Sequence, residues 1–451
     1  MPNILLITTA FTPPPSAGAS RTQKFLNWLP KYGWSPTLLT ICWDGMESGL
    51  ERLPGDPSCV HRVAWQARRK GGGRSEPKDS GQLSGSAPST QRLVFIRKVY
   101  RILARLYRSI FVFPDGCRDW IAPGVARGLE LAHKTPFDLI YSSAAGPGVS
   151  AHFIASELQR KLNIPWIHEY RDLWSGNPWS DMKSYWWRER WERSWERRFL
   201  VQADRAVVMT PSNAEILATR GPEGIGSRIV IVPNGFDADE FAKDVPQPRG
   251  FPLQLCFTGS LYGGKRDLGG LFAGMRMLVE RGTVDRNEIQ FTYAGASSAL
   301  VHALAEREGV ADLIADRGVV AGPAAKQIQQ MSHVLVLAEA DDDDPWVLGN
   351  MPAKAYEYLG AARPVLVLAN QKGAIAQLYA ETHAGCTFLP RDRVGIADHI
   401  AGWIGELRAN GVLRYAPDEV AVSQQSWRER SALLARLLDE VLQEKRAKTT
   451  V

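Results

Sequence analysis

Short apolar runs alternate with amphipathic stretches over most of the chain. Asn3–Thr9 is nearly continuous in apolar residues, as a strand buried on both faces requires, and Arg21–Lys31 spaces its apolar positions as a helix does. Pro36–Cys42 reads as the next strand. Further strands are predicted at Asp138–Ser142, Pro165–Tyr170, Arg205–Thr210 and Arg228–Val232, separated by helices such as Gly148–Leu162 and Pro211–Thr219. The alternation resumes at Leu253–Gly259 and continues through Ile289–Gly295, Leu313–Gly318, His333–Ala338 and Pro364–Leu368. A last helix is predicted over Trp427–Lys445. Short apolar strands alternating with helices predict an α/β chain with parallel, doubly wound sheets. Two turn-forming clusters divide it: Val232-Pro233-Asn234-Gly235-Phe236-Asp237, and Asp244–Gly250 with Pro246 and Pro248. The expected architecture is two Rossmann-like domains, 1–235 and 250–415, followed by a helical segment, 416–451. Gly71–Ser89 has no periodicity and is rich in Gly, Ser and Pro, so a mobile basic loop is expected over 66–91.

Composition narrows the class. A chain of 451 residues is long for one domain, and 45% apolar with 23% charged residues is ordinary for a globular protein. The net charge of +6, from 54 basic and 48 acidic residues, is too mild to indicate nucleic acid without a binding motif. The five cysteines are widely spaced with no C-x-x-C, so neither a disulfide framework nor a structural zinc site is expected, and a reducing compartment fits. Met1-Pro2-Asn3 leads into Ile4-Leu5-Leu6-Ile7 without a basic leader or cleavage pattern, so no signal peptide is expected. No apolar run approaches the ~20 residues of a membrane span.

Three loops carry candidate chemistry. Phe11–Ser20, between the first strand and first helix, has the strand–Gly loop–helix layout that presents backbone N–H groups to phosphate, although G-x-G-x-x-G is absent; a plain turn reads equally well. Gly259-Ser260-Leu261-Tyr262-Gly263-Gly264-Lys265 repeats the layout in the second half, with Lys265 adding positive charge. Asn350-Met351-Pro352-Ala353-Lys354-Ala355-Tyr356-Glu357 is the most informative. Pro352 suits a helix start, whose free N–H groups and positive end form an anion site reinforced by Lys354. Glu357, one turn deeper, is spaced to accept hydrogen bonds from vicinal hydroxyls; the alternative is an exposed Lys–Glu pair.

Taken together, these pieces resemble a glycosyltransferase of the GT-B fold, of the family-4 type. The resemblance runs through Phe11–Arg21, Tyr32-Gly33-Trp34, Val232-Pro233-Asn234-Gly235-Phe236-Asp237, Phe257-Thr258-Gly259-Ser260-Leu261 and Pro352–Val365. Arg171-Asp172-Leu173-Trp174 is similar to members that assemble cell-surface polysaccharide. The resemblance implies two Rossmann-like domains facing across a cleft, with a C-terminal helix after the second sheet. It implies transfer of a hexose from a nucleoside-diphosphate donor, UDP-linked, with retention at the anomeric carbon and without metal or cofactor. Donor contacts would fall on Gly18, Gly259, Ser260, Lys265, Met351, Ala353, Lys354 and Glu357, and catalytic roles on Arg171, Asp172 and Lys265. Two positions depart from the pattern. Ser260 stands where many relatives have Arg, and Gly349 stands where the first glutamate of E-x7-E is expected. The implied acceptor is a saccharide, or a lipid-linked one met at the inner face of a bacterial membrane. The rivals are an inactive relative that binds a membrane or partner, a GT-B nucleotide-sugar epimerase, and a nicotinamide dehydrogenase.

Four further features have competing readings. Asp341-Asp342-Asp343-Asp344 reads as a solvated acidic loop rather than a metal site, with one Asp as a possible substitute for the carboxylate missing at 349. Trp187, Trp191, Trp195 and Phe199 recur at i, i+4 and are read as core packing, with a membrane face as the alternative. Arg92–Arg108 segregates Arg97, Arg101, Arg105 and Arg108 from Val99, Ile102, Leu103, Leu106 and Ile110, which suits an anionic bilayer surface as well as a helix packed on its own sheet. His168, on a predicted strand, is read as structural rather than catalytic.

Overall fold

The structure, a computed structural model, describes residues 1–11, 17–42, 57–64, 99–100, 102–107, 109–145, 148–178, 185–243 and 245–450. The basic loop expected over 66–91 lies outside the described residues. The chain divides into two compact units: Met1–Met209 with Asn213–Val232 and Ser431–Val451, and Thr210–Ser212 with Pro233–Arg430.

The first unit is built on strands β1 (Asn3–Thr8), β2 (Ser35–Cys42), β3 (Val60–Ala64), β4 (Leu139–Ala145), β5 (Trp166–Asp172), β6 (Arg205–Val208) and β7 (Ile229–Ile231), in the order β3-β2-β1-β4-β5-β6-β7. Every pairing is parallel, with Leu5 opposite Thr37 on one side and Ile140 on the other. Helices α1 (Ala17–Trp28), α2 (Ile121–Lys134), α3 (Ser150–Leu162), α4 (Trp186–Gln202) and α5 (Pro211–Ala218) connect the strands. Leu5, Ile140 and Ile167 are fully buried, because a parallel central strand is covered on both faces. β3 escaped the sequence reading because Val60-His61-Arg62-Val63-Ala64 is a half-exposed edge strand carrying charge.

The second unit repeats the architecture with β8 (Leu253–Thr258), β9 (Ile289–Ala294), β10 (Ile314–Asp316), β11 (Val334–Ala338), β12 (Val365–Leu368) and β13 (Gly385–Phe388), ordered β10-β9-β8-β11-β12-β13 and all parallel. Its helices are α6 (Gly269–Glu280), α7 (Ser298–Arg307), α8 (Gly322–Gln330), α9 (Ala353–Gly360), α10 (Ala374–Thr382) and α11 (Arg393–Asn410). In each sheet the strand order reverses once, between β1 and β4 and between β8 and β11. Loops leaving the carboxyl ends of strands at such a reversal form the usual ligand crevice.

The final helix, α12 (Trp427–Thr450), follows the second sheet in sequence, yet its residues from Ser431 onward belong to the first unit. Leu434, Leu438 and Val441 are buried there, Asp439 Oδ1 accepts from Trp34 Nε1 at 3.0 Å, and Glu444 pairs with Arg205.

α4 corrects the reading of its tryptophans. The buried face carries Arg188, Glu192, Glu196, Phe199 and Leu200, while Trp191 is exposed and Trp187 and Trp195 are half-buried. Charged groups occupy the inner face because each is paired. Arg188 donates to Glu192 and to the carbonyls of Val112 and Pro114, and Glu196 accepts from Ser175 Oγ and Arg220. A buried charge is tolerated when its hydrogen bonds are met, so periodicity of aromatic residues did not mark the core here.

Candidate functional site

In the second unit, β8 runs into Gly259, whose φ of +133° is open to few residues other than glycine. A Cβ there would lie 3.1 Å from Lys354 Cε, so the glycine lets the lysine lie along the loop. Gly259 O accepts from Tyr293 Oη at 2.8 Å, and Tyr293 Oη in turn accepts from the Ser297 N–H at 2.7 Å. Ser260 Oγ accepts from Tyr262 N, and Ser297 Oγ from Leu261 N. The turn is completed by Tyr262, Gly263 and Gly264, all at positive φ. These bonds fix the loop from its own backbone, which leaves Lys265 exposed and, among the described residues, without a side-chain hydrogen bond.

Pro352 caps α9, whose first turn holds Ala353 and Lys354 with Met351 just outside. The first N–H groups of such a helix have no intrahelical acceptor, and its positive end favours an anion. Lys354 Nζ lies 3.2 Å from Thr258 Oγ1 and 3.5 Å from Glu357 Oε1. Gln329, from α8, donates Nε2 to Glu357 Oε1 at 2.6 Å and to Thr258 Oγ1 at 2.9 Å. Glu357 is therefore oriented through one oxygen, and among the described residues Oε2 makes no hydrogen bond. The Lys–Glu pair exists, as the plainer sequence reading had it, within a larger constellation. Gly259, Lys354 and Glu357 come together; Ser260 and Lys265 belong to the same loop without touching them. Gln329 was missed, since nothing in α8's sequence separates it from an ordinary polar helix residue.

Arg266, beside Lys265, was missed as well. It is buried, pairs with Glu339 at 2.8 Å, donates to the Ser260 carbonyl and stacks over Tyr262 at 4.5 Å. Gly349 ends the short helical turn Pro345–Leu348, and its carbonyl accepts from Thr210 Oγ1. The four aspartates have local duties. Asp344 caps that turn through Trp346 N, Asp342 accepts from Asp344 N, Asp343 meets Lys372 and Asn370, and Asp341 lies 3.5 Å from Arg391. Among the described residues no group of three or more His, Cys, Asp or Glu is arranged to hold a metal.

In the first unit the chemistry gathers where β1, β4 and β5 end. Glu169 is buried and accepts from Arg21 Nε and Nη2 at 2.9 and 2.6 Å, from Tyr141 Oη at 2.5 Å and from Ser143 Oγ at 2.5 Å. Arg21 also donates to the Val232 carbonyl at 2.8 Å. Burial alone would raise the Glu169 carboxyl, but the Arg21 guanidinium and these donors hold it below its ordinary value. α1 begins at Ala17, so Gly18 lies in its first turn rather than in the preceding loop as the sequence suggested. Arg171 and Asp172 end β5, the former half-buried and the latter exposed. His168 makes its ring contacts elsewhere. It is fully buried among Trp166, His152 and Tyr170, with ring centroids 5.4, 5.4 and 5.1 Å away, so it is a core residue.

Two Rossmann-like units, each with a crossover pattern opening at the ends of its central strands, define a protein of the GT-B fold. Residues 84–240 match the family model described as Glycosyltransferase Family 4. No curated protein sequence matches it. Among solved structures it is similar to a sucrose-phosphate synthase from Thermosynechococcus elongatus, at 13% identity with TM-score 0.61, covering 98% of this chain and 100% of that one. It is also similar to the lipopolysaccharide outer core galactosyltransferase WaaB, at 13% identity, TM-score 0.56 and coverage of 97% and 99%. A UDP-GlcNAc 2-epimerase from Neisseria meningitidis, solved with UDP-GlcNAc, matches at 11% identity, TM-score 0.50 and coverage of 98% and 100%. At such identities the likeness speaks for the fold alone.

Proposed function

We propose that the chain transfers a hexose from a UDP-linked donor to a saccharide or lipid-linked saccharide, with retention at the anomeric carbon. The observation that carries the reading is the constellation of Gly259, Lys354 and Glu357 at the strand-order reversal of the second unit. The amides of Met351, Ala353 and Lys354 and the ammonium groups of Lys354 and Lys265 meet the diphosphate, with Gly259 and Ser260 allowing its close approach. Glu357, held by Gln329, takes the ribose hydroxyls through Oε2. As the sugar departs, negative charge grows on the diphosphate, and fixed positive groups lower that barrier more than they strengthen ground-state binding. Gly18 is assigned to the diphosphate side of the first unit, and Arg171 and Asp172 to the reacting sugar and its acceptor. The reaction in this reading needs no metal.

Glu357→Ala is expected to weaken UDP binding by about 10- to 150-fold, corresponding to about 1.5–3 kcal/mol for a hydrogen bond to a charged group. Lys265→Ala and Lys354→Ala are expected to lower kcat more than they raise KM. Titration calorimetry with UDP and steady-state kinetics check both. A folded Glu357→Ala protein with unchanged UDP affinity removes the ribose assignment. Analysis of the sugar product separates transfer from epimerisation, which would return the donor sugar inverted at one carbon and transfer nothing.

The acceptor is proposed to be met at an anionic bilayer surface on the inner face of the membrane. Among the described residues no helix is long and apolar enough to cross a membrane. In the helical stretch 102–107 and 109–111, however, Ile102, Leu103, Leu106, Tyr107, Ile110 and Phe111 are all exposed, with Tyr107 and Phe111 stacked at 4.9 Å. Trp191, exposed on α4, packs on Phe113 at the end of that stretch. Arg105 is exposed on the other side, and by sequence Arg97, Arg101 and Arg108 share its side, although these three lie outside the described residues. Such a helix lies in an interface with its apolar face inward. Leu103→Asp with Leu106→Asp should abolish co-sedimentation with anionic liposomes, whereas Arg105→Glu should weaken it several-fold, since one basic group contributes about 1 kcal/mol. Binding indifferent to both changes would remove the membrane reading.

A further inference from the structure

β5 carries an irregularity that the site described above does not use. Ala144 pairs with Tyr170 and Ala145 with Asp172, so Arg171 is an extra residue opposite the junction of its neighbours. A bulge of this kind redirects one side chain out of the strand's alternation and is common beside ligand sites. The redirected guanidinium is unusual. Its Nε and Nη1 are withdrawn from solvent and, among the described residues, neither has a hydrogen-bond acceptor. The nearest buried carboxylate is already engaged, because Glu169 receives Arg21, Tyr141 and Ser143. Asp172 is exposed and makes no hydrogen bond to Arg171. Arg21 and Glu169 pair with each other, so among the described residues the guanidinium of Arg171 has only the neighbouring Asp172 carboxylate as a charge partner, without a hydrogen bond to it. A desolvated guanidinium with idle donors calls for an anionic acceptor, and phosphoryl oxygens suit its charge and planarity.

We propose that Arg171 is a phosphoryl receptor in the first unit, separate from the diphosphate contacts assigned to the second. The inference rests on the reading of the chain as a nucleotide-sugar glycosyltransferase. The phosphoryl group comes either from the donor diphosphate or from an acceptor that itself carries phosphate. In either case Arg171 positions the reacting groups by fixing the phosphoryl group beside them.

The test compares the full chain with Arg171→Gln and Arg171→Lys. UDP and uridine are titrated by calorimetry, and inorganic phosphate is titrated into UDP-saturated protein by phosphorus NMR. Since no protein hydrogen bond is broken, Arg171→Gln should melt no lower than wild type. If the donor supplies the group, Arg171→Gln should bind UDP at least tenfold more weakly with uridine affinity unchanged. If the acceptor supplies it, UDP affinity should hold while phosphate binding to the UDP-saturated protein is lost. Arg171→Lys, keeping charge without the fork, should fall between in whichever arm responds, and it serves alone should the glutamine variant fail to fold. Wild-type affinity for both ligands in the variants overturns the proposal, as does a lowered melting point with ligand binding unaltered, which would make Arg171 structural. A wild-type protein that ignores UDP but binds phosphate through Arg171 would keep this site and remove the nucleotide reading instead.

Discussion

Replacing Glu169 with alanine is expected to destabilise the first unit by about 3–5 kcal/mol, the usual cost of stripping one partner from a buried ion pair. Arg21 and Glu169 side chains are each only 1% exposed, and their oxygen–nitrogen separation is 2.6 Å. The alanine variant leaves the Arg21 guanidinium buried without its carboxylate, and the Tyr141 and Ser143 hydroxyls without their acceptor. Against a total stability of about 5–15 kcal/mol for a domain, that loss is large. The companion expectation separates charge from packing. Arg21→Met combined with Glu169→Leu should recover much of the loss, because an apolar pair of similar volume has no desolvated charge to compensate. Urea unfolding of the full chain measures both, with the transition of the first unit followed apart from that of the second, since a two-unit protein need not unfold in one step. A Glu169→Ala transition within about 0.5 kcal/mol of wild type, the range of an ordinary surface change, would show that the pair holds nothing together.

Much of the fold was legible because its signal is local. β11 and β12 are unbroken apolar runs and β1, β4 and β8 are mostly apolar, as strands covered on both faces tend to be. The edge strands β3 and β13 were not legible, because strands open to water on one side carry polar residues and lose the pattern. At the donor-side constellation, Lys354 and Glu357 were found through their spacing on one helix. Gln329, which orients Glu357, and Arg266, which braces the Gly259 loop through Glu339, could not be, since their partners are 28 and 73 residues away in sequence. The same holds for Arg21 and Glu169, which are 148 residues apart. Two local signals misled. The tryptophans of α4 are spaced like a core stripe, but paired charges took the inner face. Gly18 looked like a loop glycine and is helical.

The two core histidines predict a steep acid sensitivity. His152 and His168 are fully buried, in edge-on ring contact with each other and with Tyr170. Burial, aided by the Arg171 charge, pushes the His152 imidazole down to about 3, and burial with His152 and Arg228 nearby holds His168 well below its ordinary value. His152 Nδ1 at least meets Ser142 Oγ at 2.8 Å, whereas both ring nitrogens of His168 lack partners. Both rings are therefore neutral in the folded protein and protonate on unfolding at about 6.5. The folded state binds fewer protons, so stability is fully present above pH 6.5 and is lost as the pH falls below it. Both histidines contribute to that loss, since each is neutral in the fold and charged in the unfolded chain below about pH 6.5. Glu169, with its lowered carboxyl, adds its loss only as the pH drops below about 4.5, the ordinary glutamate range. Between pH 6.5 and 4.5 the first unit's unfolding free energy should thus fall steadily as the pH falls. His168→Phe should reduce that slope without lowering stability at pH 7, because the ring sits among Trp166, His152 and Tyr170 and, among the described residues, breaks no hydrogen bond on replacement. An unchanged slope in that variant would mean that His168 carries no part of the acid response. A variant destabilised at neutral pH would mean instead that its nitrogens have a role the neutral core does not supply.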